Sequence, residues 1–303
     1  MPTSRPGNKL LIPCFAAVYL IWGSAFTASK LVVHDLPPLL AGAVRFLIAG
    51  TGLALVAAWR GARVPRALIE WRHFLVMGLL LVVTSSGVNA LAIRYVASNE
   101  SALLNVSSAF WIPLVGLLAG HAITRRAAAG LLLGFVGVAF LMWPKAGFSF
   151  TNLGWQLAIL GACFAWALGT LYYRRITSTT APLMFTALEM TLGGVMLAVI
   201  AVVNGDPAHW TPTAPSLAGL VFLTVFSSGI AYTAFGYLMR HTTPARLGTY
   251  AYVNPVVAAF VGWAVLGEAF SGIQLVGTVI ILGGVVLVSL PDGDEVAPAE
   301  STP

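Results

Sequence analysis

Charge is what this sequence has least of. Of 303 residues only 9% are Asp, Glu, Lys or Arg, against about 25% in an average soluble domain. A chain so poor in charge cannot keep a water-facing surface around a core, so most of its solvent must be hydrocarbon. Cysteine is almost missing as well. Cys14 and Cys163 both fall inside apolar runs and read as small packed hydrophobes. A disulfide framework and a metal-ligand spacing are thereby excluded. Lysine is limited to Lys9, Lys30 and Lys145 among 16 basic residues. That arginine bias, with abundant Ala and Gly, suits a GC-rich bacterial genome. The net charge of +6 does not indicate nucleic acid, because the basic residues sit in small clusters between apolar runs and form no single stripe. A Gly-Lys dipeptide is absent, which removes the phosphate-binding P-loop and a built-in ATPase. His-Glu-x-x-His and Gly-x-Ser-x-Gly are absent too. The sequence therefore predicts neither an enzyme nor a bound cofactor or metal, and any transport is powered by a gradient or runs downhill.

What is present is a succession of long apolar runs. Ten of them, about 10–33, 37–59, 74–94, 99–120, 127–144, 153–173, 182–204, 214–239, 245–267 and 271–290, are each long enough or nearly so for a bilayer core of about 30 Å. The first, "MPTSRPGNKLLIPCFAAVYLIWGSAF", resembles a signal peptide, but nine further runs follow and it reads as an uncleaved span. The end, "DGDEVAPAESTP", is acidic and Pro-containing, and reads as a disordered tail over 291–303. Twelve Lys/Arg residues fall at the N-terminus and in the connections after even-numbered runs. Lys30, Arg94 and Lys145 fall on the opposite side. This asymmetry predicts that both termini are cytoplasmic.

The chain also repeats itself. "WGSAFTASK" at 22–30 aligns with "WALGTLYYR" at 166–174, so that Trp22 matches Trp166. In the same register Pro38 matches Pro182, Arg45 matches Glu189 and Gly50 matches Gly194. "SSG" at 85–87 recurs at 227–229, and further on Gly130 matches Gly277 and Gly137 matches Gly284. Five spans per copy is an odd number, so the second copy enters the membrane from the other side. Two copies of opposite topology are the physical basis of alternating access. The expected fold is thus an all-α integral membrane protein of ten transmembrane helices, arranged as two inverted five-helix repeats around a central cavity. The expected units are a cytoplasmic tail 1–9, a first repeat 10–144, a periplasmic linker 145–152, a second repeat 153–290 and the tail 291–303.

"YLIWGSAF", "PPLLAGAVRFLIAG", "YVNPVVAAFVGWAVLGE" and "GIQLVGTVIILGGVVLV" together give the chain a resemblance, over about residues 10–290, to the drug/metabolite transporter superfamily, in its ten-span EamA-like branch. The resemblance implies a basket-like bundle of ten helices with a central cavity that exports or imports small metabolites. It also implies a cavity role for Arg45, since an arginine recurs at that place. Departures are local: Gly120-His121 stands where the second half has Gly267-Glu268, and Ser107-Ser108 where it has Asn254-Pro255.

A guanidinium inside hydrocarbon costs about 2.5–3.5 kcal/mol on insertion scales, so Arg45 needs water or a polar partner, and snorkelling to the interface is its alternative use. Glu189 is the only carboxylate well inside a run. It is the candidate proton-coupling group, or else a structural hydrogen-bond partner. The depths of the two differ by roughly 10 Å and their side chains lean apart, so no direct ion pair is expected. Trp22, Trp111 and Trp166, with Tyr232 and Tyr252, are interior aromatics that either line a cavity or pack between helices. Asn89 and Asn254 are interior amides with the same two uses. Trp59, Trp71, Trp143, Trp155 and Trp210 lie near run ends, as an interfacial belt does. "GLLAG" and "GLLLG" bring backbones together within the bundle, with dimer contact as their other use, so a homodimer is allowed but not required. The expected function is a secondary-active or facilitative inner-membrane transporter, chiefly an exporter, of small organic metabolites such as amino acids. Its partners are the solute and the lipid bilayer. The alternative is a non-transporting membrane receptor or scaffold, whose interior would be filled with side chains.

Overall fold

The computed structural model describes residues 9–92, 94–96, 101, 104–141, 152–266 and 272–290. The tail up to residue 8, the linker with Trp143 and Lys145, Gly267 with Glu268, and the tail from Pro291 lie outside the described residues. Among the described residues the regular structure is helical: α1 (Leu11–Asp35), α2 (Pro38–Trp59), α3 (Leu68–Ala92), α4 (Leu104–Leu118) and α5 (Arg125–Leu141), then α6 (Leu153–Arg175), α7 (Pro182–Val203), α8 (Ala214–His241), α9 (Tyr250–Leu266) and α10 (Gly272–Ser289), with short helical turns at Asp206–His209 and Pro244–Gly248 in the connections before α8 and α9. Seven of these, α1, α2, α3, α6, α7, α8 and α10, are long and apolar enough to cross a membrane. α4 is a shorter apolar helix, and α5 and α9 have 17 residues each. Helices suit this composition because they satisfy every backbone group internally, which hydrocarbon demands. The outer surface is apolar, with Leu55 68% and Val199 59% exposed.

Local signals set the helix ends. Pro38 and Pro182 open α2 and α7 at a position where a missing N–H costs nothing. Both helices are followed by a glycine with positive φ, Gly61 at +85° and Gly205 at +77°, a conformation other residues resist. Thr213 caps α8 reciprocally with Ser216. The third helix corrects its expected start at residue 74. It begins at Leu68 and takes in Glu70, a charge the apolar pattern had placed outside. Glu70 is buried and accepts from Ser178 Oγ at 2.5 Å, Thr179 N at 2.9 Å, Thr179 Oγ1 at 3.0 Å and Thr180 Oγ1 at 3.2 Å. Four donors from the α6–α7 connection replace its lost hydration.

Glycines set the closest packing. α2 lies along α7, and α5 along α10, and these are the most extensive helix pairs. A methyl group added at Gly50 would lie 2.5 Å from Thr191 Oγ1, and one at Gly194 would lie 3.0 Å from Leu47 N. In the other seam, added methyls at Gly130 and Gly137 would lie 2.8 and 2.9 Å from the carbonyl oxygens of Gly284 and Gly277. The reverse contacts would be 2.6 Å (Gly284 to Gly130 O) and 2.7 Å (Gly277 to Gly137 O). Backbone meets backbone in both seams, as small residues allow in membrane bundles. α1 packs on α8 and α9, while α6 packs on α3 and α4. Exchanging each of α1–α5 with the helix five places later leaves these pairings unchanged.

Two helices widen within their length. α3 carries a π-helical stretch at Gly78–Gly87 and α8 carries one at Leu223–Ala231. Such stretches are rare and concentrate at functional sites. The two "SSG" triplets lie inside them.

Candidate functional site

A cavity of about 690 Å³ occupies the half of the bundle that contains the α1–α2 turn. That volume lies within the range of small-molecule sites, roughly 300–1,000 Å³. Its walls come from both halves of the chain: Phe26, Gly42 and Asn89 from the first, and Leu197, Leu220 and Ala258 from the second.

Trp22 and Trp166 form its floor. Trp22 meets Phe235 and Tyr250 at centroid separations of 5.1 and 5.4 Å, and Trp166 meets Tyr232 at 5.9 Å. The Trp22–Tyr250 and Trp166–Tyr232 pairs are edge-to-face and Trp22–Phe235 is tilted; aromatic pairs of these geometries contribute beyond simple burial. The Trp22 indole donates to the Ser227 carbonyl oxygen at 3.2 Å.

Arg45 lines the same cavity. Its Nε donates to Ser228 Oγ at 2.6 Å and its Nη2 to Ser227 Oγ at 3.1 Å. Both serines belong to the π-helical stretch of α8, and both are buried. The guanidinium carbon lies 4.8 Å from the Phe46 ring centroid, within cation–π range. The cost of the buried charge is met by two hydroxyls, one ring face and the cavity itself, which leaves part of the side chain accessible. Snorkelling is not needed.

Asn89 lines the cavity as well. It donates to the Ser85 carbonyl at 3.0 Å and accepts from Asn105 Nδ2 at 2.8 Å. Asn105 in turn donates to the Ser101 carbonyl at 2.9 Å. Asn254 also lines the cavity; turned to donate, its amide reaches the carbonyls of Tyr250 at 3.1 Å and Tyr19 at 3.3 Å.

The structure thus brings Trp22, Arg45, Asn89, Trp166, Tyr232 and Asn254 together around one cavity. Three other candidates lie off the lining. Tyr252 donates to the Leu131 carbonyl at 2.9 Å and its ring covers Gly134. Trp111 packs edge-on against Phe164 at 5.3 Å. Glu189 is only 1% exposed. Its Oε2 and the Tyr232 hydroxyl have no hydrogen-bond partner among the described residues, yet the two groups interact electrostatically, and Arg45 interacts with the same hydroxyl. Arg45 and Glu189 make no ion pair; among the described residues His34–Asp35 is the pair found, at 2.5 Å.

Sequence reasoning missed Lys30, which lines the cavity near its rim, and missed Ser227 and Ser228 as the partners of Arg45. The repeated "SSG" was the available signal.

A bundle of apolar helices around a largely apolar cavity with a few polar groups on its walls marks an integral membrane protein. The chain belongs to the EamA-like transporter family, whose model matches residues 10–143 and again 153–290. It is 32% identical over 290 residues to the uncharacterized inner membrane transporter YedA of Escherichia coli strain K12, across 93% of this chain and 92% of YedA. It is 26% identical to the chloroplastic WAT1-related protein At3g02690 of Arabidopsis thaliana, across 91% of this chain and 69% of that protein. A crystal structure of a protein 21% identical in sequence superposes with a TM-score of 0.79, covering 92% of this chain and 96% of that one. At that identity the likeness concerns the fold.

Proposed function

We propose that the protein is a secondary-active or facilitative carrier that moves small organic metabolites, amino acids or related carboxylates among them, out across the bacterial inner membrane by alternating access. The observation that carries this reading is the 690 Å³ cavity walled by both halves of the chain, with Arg45 held at its depth by Ser227 and Ser228. A receptor or scaffold would fill that space with side chains.

The carrier is read as ten spans in two inverted five-helix repeats, 10–144 and 153–290, flanked by the short tails and joined by the linker 145–152. The reciprocal glycine contacts of the α2/α7 and α5/α10 seams support this reading, as does the pairing of α1 with α8 and α9 against that of α6 with α3 and α4. With the Lys/Arg asymmetry placing both termini in the cytoplasm, the cavity half of the bundle faces outward. Arg45, Trp22, Trp166, Tyr232, Asn89 and Asn254 would contact the solute. Glu189, buried behind Tyr232, would take and release a coupling proton, while Trp111 and Tyr252 would support the wall from behind. The protein works with no reaction chemistry of its own and needs no second copy.

Flux through purified protein in liposomes, measured with and without a pH gradient across a panel of metabolites, tests the reading. Solute movement above that of empty liposomes is expected. A panel with no movement in either direction, from protein that remains folded, would return the chain to the scaffold reading.

A further inference from the structure

We propose that the solute is an organic anion without a free ammonium group, a monocarboxylate with an apolar or aromatic body rather than a zwitterion. The inference rests on the carrier reading above and narrows its substrate class, setting the amino acids aside in favour of related carboxylates that lack the ammonium group.

Both charged side chains on the described cavity walls are cations, Arg45 and Lys30. Arg45 is oriented by two serines through Nε and Nη2, which leaves Nη1 without a hydrogen bond among the described residues. A guanidinium fixed along one edge, with free N–H groups on a water-accessible side, is a preorganised carboxylate site. Lys30 follows Trp22 by eight residues on α1, about 12 Å along the axis. It sits toward the rim, where a cation attracts anions from solution.

An ammonium group would find no counter-charge among the described residues. Of the described carboxylates, Asp35 is engaged by His34 and Thr213. Glu70 is enclosed by the α6–α7 connection. Asp206 accepts from Asn204 at 2.7 Å, and Glu189 lies off the lining. Glu100, Glu268 and the four acids of the tail lie outside the described residues. An α-ammonium within a few ångströms of a carboxylate held on Arg45 would also face that guanidinium's positive charge. The floor of Trp22, Trp166 and Tyr250 supplies the surface for an apolar body.

The test compares four probes that share one phenyl group: 3-phenylpropionate, phenylalanine, phenethylamine and 3-phenylpropanamide. Binding to the full chain in nanodiscs is measured by calorimetry. The expected order places 3-phenylpropionate at least tenfold tighter than phenylalanine, with the amine and the amide weakest. Arg45→Gln is expected to bring the acid down to the level of the amide, whereas Arg45→Lys keeps the anion preference at reduced affinity. Retained preference in both variants supports the site only if Lys30→Gln then removes it; preference that survives Arg45→Gln and Lys30→Gln together overturns the proposal. Equal or tighter binding of phenylalanine or phenethylamine also overturns it, and so does failure of all four to bind. A separate measurement addresses the carrier reading itself. Ala25→Cys, in a chain with Cys14→Ser and Cys163→Ser, is treated with a charged maleimide. Labelling without anion preference sinks the substrate class and leaves the carrier. No labelling means that the cavity is closed to water and sinks the carrier reading as well.

Discussion

Trp22 and Trp166 meet edge to face with ring centroids 5.6 Å apart and planes at 73°, although 144 positions separate them in the chain. Each occupies the same place in its half of the sequence. Their meeting marks where the halves converge, and it closes the base of the cavity with aromatic surface. Tyr232 and Tyr250 widen that floor, and Phe235 backs it from behind.

Arg45→Ala is expected to lower solute affinity by roughly 10- to 100-fold, the value of one or two hydrogen bonds to a charged group. The protein should still reach the membrane, because losing a charge from an apolar helix does not hinder insertion. Flux in liposomes alongside a monodisperse elution profile checks both halves of this statement. Unchanged flux would make Arg45 structural.

Glu189→Gln keeps the shape of the side chain and fixes it neutral. The expected result is flux that no longer responds to an imposed pH gradient while downhill exchange persists. A gradient response of normal size in this variant would assign coupling to another group.

Gly277→Ala should destabilise the bundle by about 1–3 kcal/mol, as overpacking does. Its new methyl would lie 2.4 Å from Leu141 N and 2.7 Å from Gly137 O, and neither backbone atom can swing aside. Gly52→Ala is the matched control: nothing lies within 4 Å of its added methyl, and replacing a helical glycine should raise stability by about 0.5–1 kcal/mol. Thermal unfolding in detergent separates the two.

Glu70→Gln is expected to loosen the α6–α7 connection, since the amide nitrogen would turn a donor toward the donors of Ser178, Thr179 and Thr180. The expected loss is about 1–3 kcal/mol. Faster tryptic cleavage at Arg175 checks it; unaltered cleavage would show that the connection is held elsewhere.

The seven long helices were legible because hydrocarbon tolerates so few residue types that a span announces itself by length, whereas α4, α5 and α9 are shorter than the apolar runs that pointed to them. Arg45 was legible for the converse reason, as a lone charge inside such a run. Glu70 was not. Its hydration is replaced by three residues more than a hundred positions away, a compensation that no local window contains. The use of "SSG" was hidden for a different reason. The triplets were visible as a repeat, but the sequence pattern did not reveal the π-helical turns that present Ser227 and Ser228 to Arg45. Tyr252 and Trp111 show the limit of residue type: an interior aromatic serves a wall or a filling equally well, and only its neighbours decide.

The α5/α10 seam has a mechanical consequence. With carbonyl oxygens of Gly130, Gly137, Gly277 and Gly284 pressed against the opposing glycines, the two helices meet backbone to backbone, and the side chains of Ile281 and Val288 are wedged directly against Gly137 and Gly130. In the proposed carrier so tight a joint would move as one piece, and a change of access would swing the other helices about it as doors turn on a fixed post.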